Sequence, residues 1–345
     1  MVVQFELLQD QNVYAIGICK QNLAHERNSP SSTSPHDMAT SRKTFLITGA
    51  SSGLGLALAL CALRHGHRVI GTARKPDVAA KTHPDYEKLG GKWVRLDVSV
   101  PGAAQAISKI MIGEQDHRAE MNPGPIEWVI IPNAGYAMQG TIEDQDEAAI
   151  EHHLQTNLWG TIRVLKAAIP ILRQNRCGTI MSMSSIFGFA AVAESQIYAA
   201  TKFATEAVVE SYASLLAPLG IKCVIIEPGI FRTNLALASV GPKAEDVHED
   251  YRERYAKWAG FVDAVAQDRT LVEGDPDKFA ERVVEVVDDR GQGQGVLAKG
   301  TADGKVMRLL AGPDCYQMWG KKLEELKANY ALMENIAVST DFNEK

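Results

Sequence analysis

A glycine-rich segment at residues 48–55, with the sequence TGASSGLG, constrains the fold of this chain more than any other part of it. It follows the apolar, β-forming run 43–47 and opens the helix-forming run 56–63. The predicted order is therefore strand, glycine turn and helix. Glycines let the backbone turn tightly and approach a pyrophosphate, whose charge is favoured at a helix N-terminus. The segment predicts a dinucleotide-binding α/β unit.

Three side chains farther along have the spacing of a proton-transfer site. Tyr198 and Lys202 are four residues apart at the start of a long helical pattern, so they share one helix face. Ser185 lies at the end of the predicted strand 178–184 and can donate a hydrogen bond to a substrate oxygen. A free tyrosine has a pKa near ~10, which a neighbouring ammonium lowers. Together with the glycine segment, the trio predicts hydride transfer between a nicotinamide and a carbonyl or alcohol.

These motifs give the chain a specific resemblance. It resembles the short-chain dehydrogenase/reductase family, in the compact branch with one domain. The family usually has asparagine where this chain has Pro132, which lacks a backbone donor and puts one sheet hydrogen bond in question. The matching motifs, in the family's order, are TGxxxGxG at 48–55, Asn133-Ala134-Gly135, Asn157, Ser185 with Tyr198-x-x-x-Lys202, and Pro228-Gly229-x-x-x-Thr233.

The resemblance implies a role for each matching residue. Tyr198 is expected to be the acid/base, Lys202 to lower its pKa and hold the nicotinamide ribose, and Ser185 to orient the carbonyl. Asn157 is expected to hold a water that links Lys202 to solvent. The expected cofactor contacts are Gly49, Ser51, Ser52, Gly53, Leu54, Gly55, Arg74, Asp97, Asn133, Ala134, Gly135, Tyr198, Lys202, Pro228, Gly229, Ile230 and Thr233.

The residues after the second predicted strand indicate which cofactor is used. An NAD enzyme commonly has an acidic residue there, whereas this chain has Arg74 and Lys75. A guanidinium suits a 2′-phosphate, so NADP(H) is favoured over NAD(H). The alternative is a solvated basic turn. By resemblance, Asp97 is expected to contact the adenine, and Ile230 and Thr233 the nicotinamide carboxamide.

The repeating order of strands and helices over 345 residues predicts one doubly wound parallel sheet, an α/β Rossmann fold. Residues 1–42, which include a Ser/Pro-rich run at 29–35, are expected to be a disordered extension. The Rossmann domain is expected at 43–311, with a substrate loop at about 234–274, and a C-terminal helix and tail at 312–345. Asp275 and Pro276 are predicted to cap a helix that runs to Val286.

Apolar side chains at helical spacing recur in the C-terminal part of the chain. One predicted stripe either packs on the core or forms a lid over the substrate: Val247, Tyr251, Tyr255, Trp258 and Val262. A second is predicted to dock on the core or on a neighbouring subunit: Tyr316, Trp319, Leu323, Leu326, Tyr330 and Met333. Four apolar residues flank the active-site motifs in sequence and indicate an apolar substrate: Phe187, Phe189, Val192 and Phe231.

Charge and composition limit the partners. A net charge of −6 without a basic stripe argues against nucleic acid. Five scattered cysteines without a CxxC motif favour a reducing, cytoplasmic location. No stretch approaches the ~20 apolar residues of a membrane span. The histidine pairs His65/His67 and His152/His153 lack metal-ligand partners at useful spacing, so a solvated or packed role and no metal are expected. The sequence leaves open whether the chain forms a homo-oligomer.

The sequence therefore predicts an NADP(H)-dependent oxidoreductase that acts on a carbonyl or secondary alcohol. The resemblance suggests lipid-like, steroid or retinoid, or secondary-metabolite substrates and does not choose among them. One alternative is an NAD-dependent alcohol dehydrogenase. Another is a catalytically idle NADP-binding regulatory protein on the same fold. The intact Ser185, Tyr198 and Lys202 argue against that second alternative, because a pure binder does not need them.

Overall fold

The computed structural model describes residues 42–121, 124–340 and 342. The chain divides into two units, Met1–Thr40 and Ser41–Lys345. The extension expected at 1–42 lies, apart from its last residue, outside the described residues. All described residues belong to the second unit.

Within the described residues, seven strands form a single sheet. Their bounds are β1 Thr44–Ile47, β2 Arg68–Ala73, β3 Lys92–Arg95, β4 Trp128–Ile131, β5 Gly178–Met183, β6 Ile221–Pro228 and β7 Met307–Ala311. The strand order is β3-β2-β1-β4-β5-β6-β7, and every neighbouring pair is parallel. The predicted doubly wound parallel sheet is confirmed.

Helices connect the strands and cover both faces of the sheet. The α-helices are α1 Gly53–Arg64, α2 Pro76–Thr82, α3 Pro84–Lys88, α4 Ala103–Met121, α5 Glu147–Asn157, α6 Trp159–Asn175, α7 Gln196–Leu216, α8 Glu249–Gln267, α9 Pro276–Asp288, α10 Val296–Gly300 and α11 Pro313–Val338. Short 3-10 helices lie at Ile142–Asp144, Ile186–Gly188, Ala217–Leu219, Ala244–Asp246, Arg269–Leu271, Gly291–Gly293 and Ala302–Gly304. The helix predicted after Asp275 begins as expected, since the Asp275 carboxylate accepts hydrogen bonds from the N–H groups of Asp277 and Lys278.

The core consists of two apolar layers, one on each face of the sheet. Side chains alternate along β1, so Phe45 and Ile47 enter the layer under α1 and α9, whereas Leu46 enters the layer under α4, α6 and α7. All three are fully buried. Burial on both faces explains why the strands read as continuous apolar runs.

The topology gathers the predicted site at one edge of the sheet. The glycine segment follows β1, Arg74 follows β2, and Asp97 comes two residues after β3. Asn133 follows β4 and Ser185 follows β5. In parallel sheets the carboxyl ends of the strands meet at one edge, and a crevice opens where the strand order reverses. Here that reversal lies between β1 and β4.

Pro132, which departs from the family pattern, lies directly after β4. Its carbonyl accepts a hydrogen bond from Met183 N at 3.0 Å. The carbonyl of Ile131 accepts one from Thr48 N at 3.1 Å. The hydrogen bonds from residues 131–132 to β5 and to the glycine segment therefore use backbone carbonyl groups, and proline retains its carbonyl.

The C-terminal helix α11 docks only through its first turns. Asp314 accepts a hydrogen bond from Ile230 N at 2.7 Å, and the indole of Trp319 stacks on Phe189 at a centroid distance of 3.9 Å. Farther along, apolar side chains such as Leu332 are exposed. Docking on the core is confirmed for the start of the helix and not for the rest. In the described part of the chain, no helix has the length and apolar character needed to cross a membrane.

Candidate active site

The glycine segment forms a tight turn that requires glycine at several of its positions. Gly49 and Gly53 have φ angles of 64° and 58°, in the left-handed region that disfavours side chains. A Cβ on Gly49 would lie 2.9 Å from Ala134 Cα. A Cβ on Gly55 would lie 2.4 Å from Asn133 Nδ2. The turn is therefore packed directly against the segment that follows β4.

Hydrogen bonds between Thr48 and Asn133 hold that packing together. Thr48 Oγ1 accepts from the backbone N–H groups of Asn133 and Ala134, at 3.0 and 3.1 Å. Asn133 Nδ2 donates to the carbonyls of Thr48 and Gly49, at 2.8 and 3.2 Å. The Asn133 side chain thus fixes the glycine segment. Sequence reasoning did not assign this anchoring role to Thr48, although a hydroxyl residue at a strand end was visible.

The structure brings the three predicted catalytic side chains together. Ser185 lies in the turn after β5, and Tyr198 and Lys202 lie on the first turns of α7. The phenol of Tyr198 is hydrogen-bonded to Ser185. Lys202 Nζ lies 5.7 Å from the centroid of the Tyr198 ring and donates to the Met183 carbonyl at 2.8 Å. All three residues of the trio are buried.

Burial has the largest effect on the pKa values of Tyr198 and Lys202. It raises the pKa of Tyr198 to about 12, against the opposing effect of the hydrogen bond to Ser185. It lowers the pKa of Lys202 to about 8, while the nearby carboxylate of Glu206 acts in the opposite direction. The resemblance implied that Lys202 lowers the pKa of Tyr198, and that role stays a prediction. Burial acts in the opposite direction, because desolvation disfavours the phenolate. At neutral pH the phenol therefore holds its proton.

Asn157, at the end of α5, is bonded to the backbone of a neighbouring segment. Its Oδ1 accepts from Tyr136 N at 3.2 Å, and its Nδ2 donates to the Tyr136 carbonyl at 2.9 Å. A Cβ on Gly135 would lie 3.2 Å from Asn157 Oδ1. The side chain therefore fixes residues 135–136 behind the cavity, and its role in holding a water remains a prediction.

His153 is a buried residue near the trio that sequence reasoning treated only as solvated or packed. It is fully buried and packs edge-on against Tyr136, 4.7 Å away, and its ring lies 6.1 Å from that of Tyr198. Burial, assisted by the charge of Lys202, lowers its pKa to about 4. Its position four residues before Asn157, on the same helix face, is the signal that could have found it.

Arg74 and Asp97 line the cavity after the ends of β2 and β3. The Arg74 side chain is exposed and makes no hydrogen bond or ion pair with any described residue. Asp97 Oδ1 accepts from the N and Oγ of Ser99, at 2.9 and 2.6 Å. Burial raises the pKa of Asp97, but the Ser99 hydrogen bonds and the charge of Arg74 lower it more, so the carboxylate stays ionised.

The turn after β6 closes the cavity on another side. Thr233 packs beside the glycine turn, with its Cβ 3.6 Å from where a Gly53 Cβ would lie. A Cβ on Gly229 would lie 2.1 Å from the Asp314 carboxylate, which binds the N–H of Ile230. Asp314 belongs to α11, so the C-terminal helix shapes this turn. Sequence reasoning gave no role to Asp314.

A buried ionic network lies behind Ser185. The carboxylates of Glu206 and Glu227 both bind Arg308, the second at 2.7 Å. Ser184 Oγ donates to Glu206 at 2.5 Å. Burial raises the pKa values of both glutamates, and Arg308 opposes that shift. The network ties the catalytic turn and α7 to β7, and its members are too far apart in sequence to be paired from spacing.

One group of possible metal ligands occurs among the described residues. Ligand atoms of Cys61, His65 and Glu281 lie within 4.8 Å of one another, although the sequence indicated no partner for His65. Arg290 Nη2 lies 3.0 Å from His65 Nε2 and 3.0 Å from Glu281 Oε1. Hydrogen bonding, first from His65, lowers the pKa of Glu281 to about 2. Since a guanidinium already compensates the carboxylate, the group is an ionic link between α1 and α9.

One cavity of about 610 Å³ is lined by the glycine turn, the catalytic trio and the turn after β6. Ser185 and every expected cofactor contact line it, whereas Asn157 lies behind its wall. Part of the lining is apolar and consists of Phe187, Trp258, Phe261, Val262 and Val265. Trp258 and Val262 belong to the stripe predicted at residues 247–262, whereas the other members of that stripe do not line the cavity. Phe189 points elsewhere, onto Trp319.

A comparison with family models decides the assignment. Residues 43–241 match the model described as short chain dehydrogenase. The chain belongs to the short-chain dehydrogenase family. It is therefore an oxidoreductase of the type that acts on alcohol and carbonyl groups with a nicotinamide cofactor.

Other short-chain dehydrogenases are similar over much of the chain. Oxidoreductase claN of Passalora fulva is 37% identical over 201 residues, which is 58% of this chain and 86% of the relative. Oxidoreductase BOA17 of Botryotinia fuckeliana is 32% identical over 83% of this chain and 95% of its own. A solved short-chain dehydrogenase from Streptomyces avermitilis has a TM-score of 0.70 at 27% identity, and the match covers 88% of this chain and all of that one.

Proposed function

We propose that this short-chain dehydrogenase is an NADP(H)-dependent oxidoreductase that interconverts an apolar carbonyl compound and its secondary alcohol. One observation carries the proposal. The phenol of Tyr198, hydrogen-bonded to Ser185, lines the same cavity as the glycine turn and the apolar side chains of Phe187 and Phe261. A reacting carbonyl placed there touches both a proton donor and a hydrogen-bond donor.

The chain's own residues supply the proton chemistry. When a carbonyl is reduced, the protonated Tyr198 gives its proton to the substrate oxygen, and Ser185 donates a hydrogen bond to the same oxygen. Lys202 holds a positive charge beside the phenol and so stabilises the phenolate that remains. Alcohol oxidation uses the same groups in reverse. A bound nicotinamide supplies or accepts the hydride.

The cavity wall fits a dinucleotide. The close approach of Gly49 and Gly55 to their neighbours keeps the turn free of side chains, as a pyrophosphate next to the start of α1 requires. The exposed guanidinium of Arg74 is available to a 2′-phosphate. Asp97 is available to the adenine, and Ile230 and Thr233 to the carboxamide.

The substrate class rests on the far end of the cavity. Its lining is aromatic and aliphatic, which favours an apolar body attached to the reacting group. One relative is named for such a substrate, Retinol dehydrogenase 8 of Homo sapiens. It is 35% identical over 56% of this chain and 60% of its own. A retinoid, another lipid-like molecule or an apolar secondary metabolite would suit this lining.

The test of the chemistry is Tyr198→Phe. Removing the proton donor should lower kcat at least 100-fold, because general acid catalysis contributes roughly 10²–10⁴-fold. Cofactor binding, measured by nicotinamide fluorescence, should change little. Tyr212→Phe is the matched control, because this tyrosine lies on the same helix but is exposed. Retention of most of the activity by Tyr198→Phe would refute the acid/base assignment.

The test of the cofactor is Arg74→Asp. The new carboxylate repels a 2′-phosphate and accepts from the 2′-hydroxyl of NAD, so the ratio of kcat/KM for NADPH to that for NADH should fall at least tenfold. A tenfold change corresponds to about 1.4 kcal/mol. Arg95→Asp, at an exposed arginine that does not line the cavity, should leave the ratio unchanged. A wild-type preference for NADH would refute the NADP assignment.

A further inference from the structure

The turn after β6 is supported by a residue from a distant part of the chain. Pro228, Gly229 and Ile230 line the cavity, and under the proposed function Ile230 lies beside the nicotinamide carboxamide. The match to the family model ends at residue 241. Asp314, which binds this turn, comes 84 residues after Ile230 and lies outside that match. The support of the turn is therefore supplied by the C-terminal helix α11.

Three close contacts join the turn to the start of α11. Asp314 Oδ2 accepts a hydrogen bond from Ile230 N at 2.7 Å. Gly229 N donates to the carbonyl of Ala311, the last residue of β7, at 2.8 Å. A Cβ on Gly229 would lie 2.1 Å from Asp314 Oδ1, so the carboxylate packs directly on the glycine. Two consecutive backbone N–H groups of the turn are thus bound to the segment 311–314.

The position of Asp314 is fixed by the contacts of the residues that follow it. Cys315 is fully buried, and its Sγ donates to the Glu227 carbonyl at 3.0 Å. One helical turn later, the indole of Trp319 stacks on Phe189 at a centroid distance of 3.9 Å. A carboxylate in the first turn of a helix is also favoured by the helix dipole. The docked start of α11 therefore sets where the carboxylate lies.

Ile230 is held less by burial than the strand before it. It is 37% exposed, whereas Ile226 on β6 is fully buried. A hydrogen bond from an N–H group to a carboxylate is stronger than one to a neutral acceptor. The bond to Asp314 therefore fixes the peptide group between Gly229 and Ile230, and with it the path of the backbone along the cavity wall. Asp314 does not itself line the cavity, so it acts through Ile230.

We propose that Asp314 is a positioning residue for the nicotinamide half of the cofactor. By binding Ile230 N, its carboxylate holds the turn after β6 where the nicotinamide lies against it. Asn133 does the same for the pyrophosphate half, since it holds the glycine turn. The two halves of the dinucleotide are thus positioned by different parts of the chain. The inference rests on the proposed function for the placement of the carboxamide beside Ile230.

The test compares two ligands that differ only in the nicotinamide. NADPH carries the ring, whereas 2′-phospho-ADP-ribose has a hydroxyl in its place. In Asp314→Ala, the dissociation constant of NADPH, measured by calorimetry, should rise about fivefold or more, as expected for the loss of one hydrogen bond. That of 2′-phospho-ADP-ribose should stay as in the wild type, because its own contacts are intact, and this also shows that the variant is folded. NADH and ADP-ribose are measured as a second pair, so that the result does not depend on the 2′-phosphate.

Two further variants serve as controls. Asp314→Asn keeps an oxygen that can accept from Ile230 N but loses the charge, so it should restore most of the NADPH affinity. Asp146→Ala is the matched control, because Asp146 also accepts from one backbone N–H, that of Ala149 at 3.1 Å, and does not line the cavity. It should bind both ligands as the wild type does.

Four results would overturn the positioning role of Asp314. Asp314→Ala binds NADPH like the wild type, or it loses both ligands of a pair equally. Asp314→Asn is as weak as Asp314→Ala, which would mean that charge and not the hydrogen bond matters. The control Asp146→Ala shows the same selective loss of NADPH.

Turnover assays with a panel of ketones and alcohols keep this inference distinct from the proposed function. Selective loss of the nicotinamide ligand in Asp314→Ala, without turnover of any compound by the wild type, would refute the proposed function and leave the positioning role standing. Turnover by the wild type with unchanged dinucleotide binding in Asp314→Ala would overturn the positioning role alone. Failure of the wild type to bind either dinucleotide would overturn both.

Discussion

At the glycine-turn end of the cavity, the polar groups of Thr48 and Asn133 bind one another, whereas the other end is lined by apolar side chains such as Phe187 and Phe261. The first end keeps its shape through hydrogen bonds made within the protein. The second end offers apolar contacts, which have no preferred direction. The difference teaches that directional hydrogen bonds fix the shape of the first end, whereas non-directional packing shapes the second.

The two ends also differ in how they are packed. The glycine turn lies so close to the segment after β4 that a single Cβ on Gly55 would collide with Asn133. By contrast, Phe261, on the helix that covers the apolar end, is 40% exposed. A substitution at the first end should therefore change folding stability, and one at the second should mainly change substrate binding.

The largest effect on stability is expected at His153, whose ring lies 6.1 Å from that of Tyr198. In the unfolded chain a histidine has a pKa of about 6.5, and burial lowers the pKa of His153 to about 4. Between these values the unfolded chain binds a proton that the folded protein does not. Stability therefore falls as the pH drops from about 6.5 to about 4, by about 3 kcal/mol from this group.

Urea unfolding of wild type and His153→Phe across this pH range measures the contribution. The variant lacks the titrating group, so its stability should depend less on pH by that amount. His152→Phe, at the exposed neighbouring residue, should follow the wild type. Identical pH dependence of stability in wild type and His153→Phe would contradict the lowered pKa of His153.

The next effect concerns the cofactor end. Asn133→Ala removes the two side-chain hydrogen bonds to the carbonyls of Thr48 and Gly49. Each such bond contributes roughly 1 kcal/mol, so unfolding should become easier by about 2 kcal/mol and cofactor affinity should fall. Denaturant unfolding and a cofactor titration measure the two quantities. Asn175→Ala, which removes a bond to the Ile126 carbonyl far from the cavity, should leave cofactor affinity unchanged. Unaltered affinity in Asn133→Ala would contradict the anchoring role.

The smallest stability effect is expected at the substrate end. Phe261→Ala removes a partly exposed ring, so the free energy of unfolding should change by less than about 1 kcal/mol. KM for an apolar ketone should nevertheless rise, because the ring lines the cavity. Thermal melts and steady-state kinetics give both values. A stability loss as large as that of Asn133→Ala would show that α8 is part of the core, and the contrast between the two ends would disappear.

The sequence by itself determined the parallel sheet and the family. The glycine turn, the apolar strands and the Tyr198-x-x-x-Lys202 spacing each act over a few residues, where chain geometry alone decides which groups meet. Because the carboxyl ends of parallel strands meet at one edge, the order of the motifs along the chain was enough to gather the expected cofactor contacts in one cavity.

Only the tertiary structure decided which of those groups are buried, which are paired, and what lies between them. The raised pKa of Tyr198, the burial of His153 and the docking of Asp314 all depend on neighbours distant in sequence. Desolvation and hydrogen-bond completion are set by three-dimensional surroundings, which a residue's position in the chain does not specify.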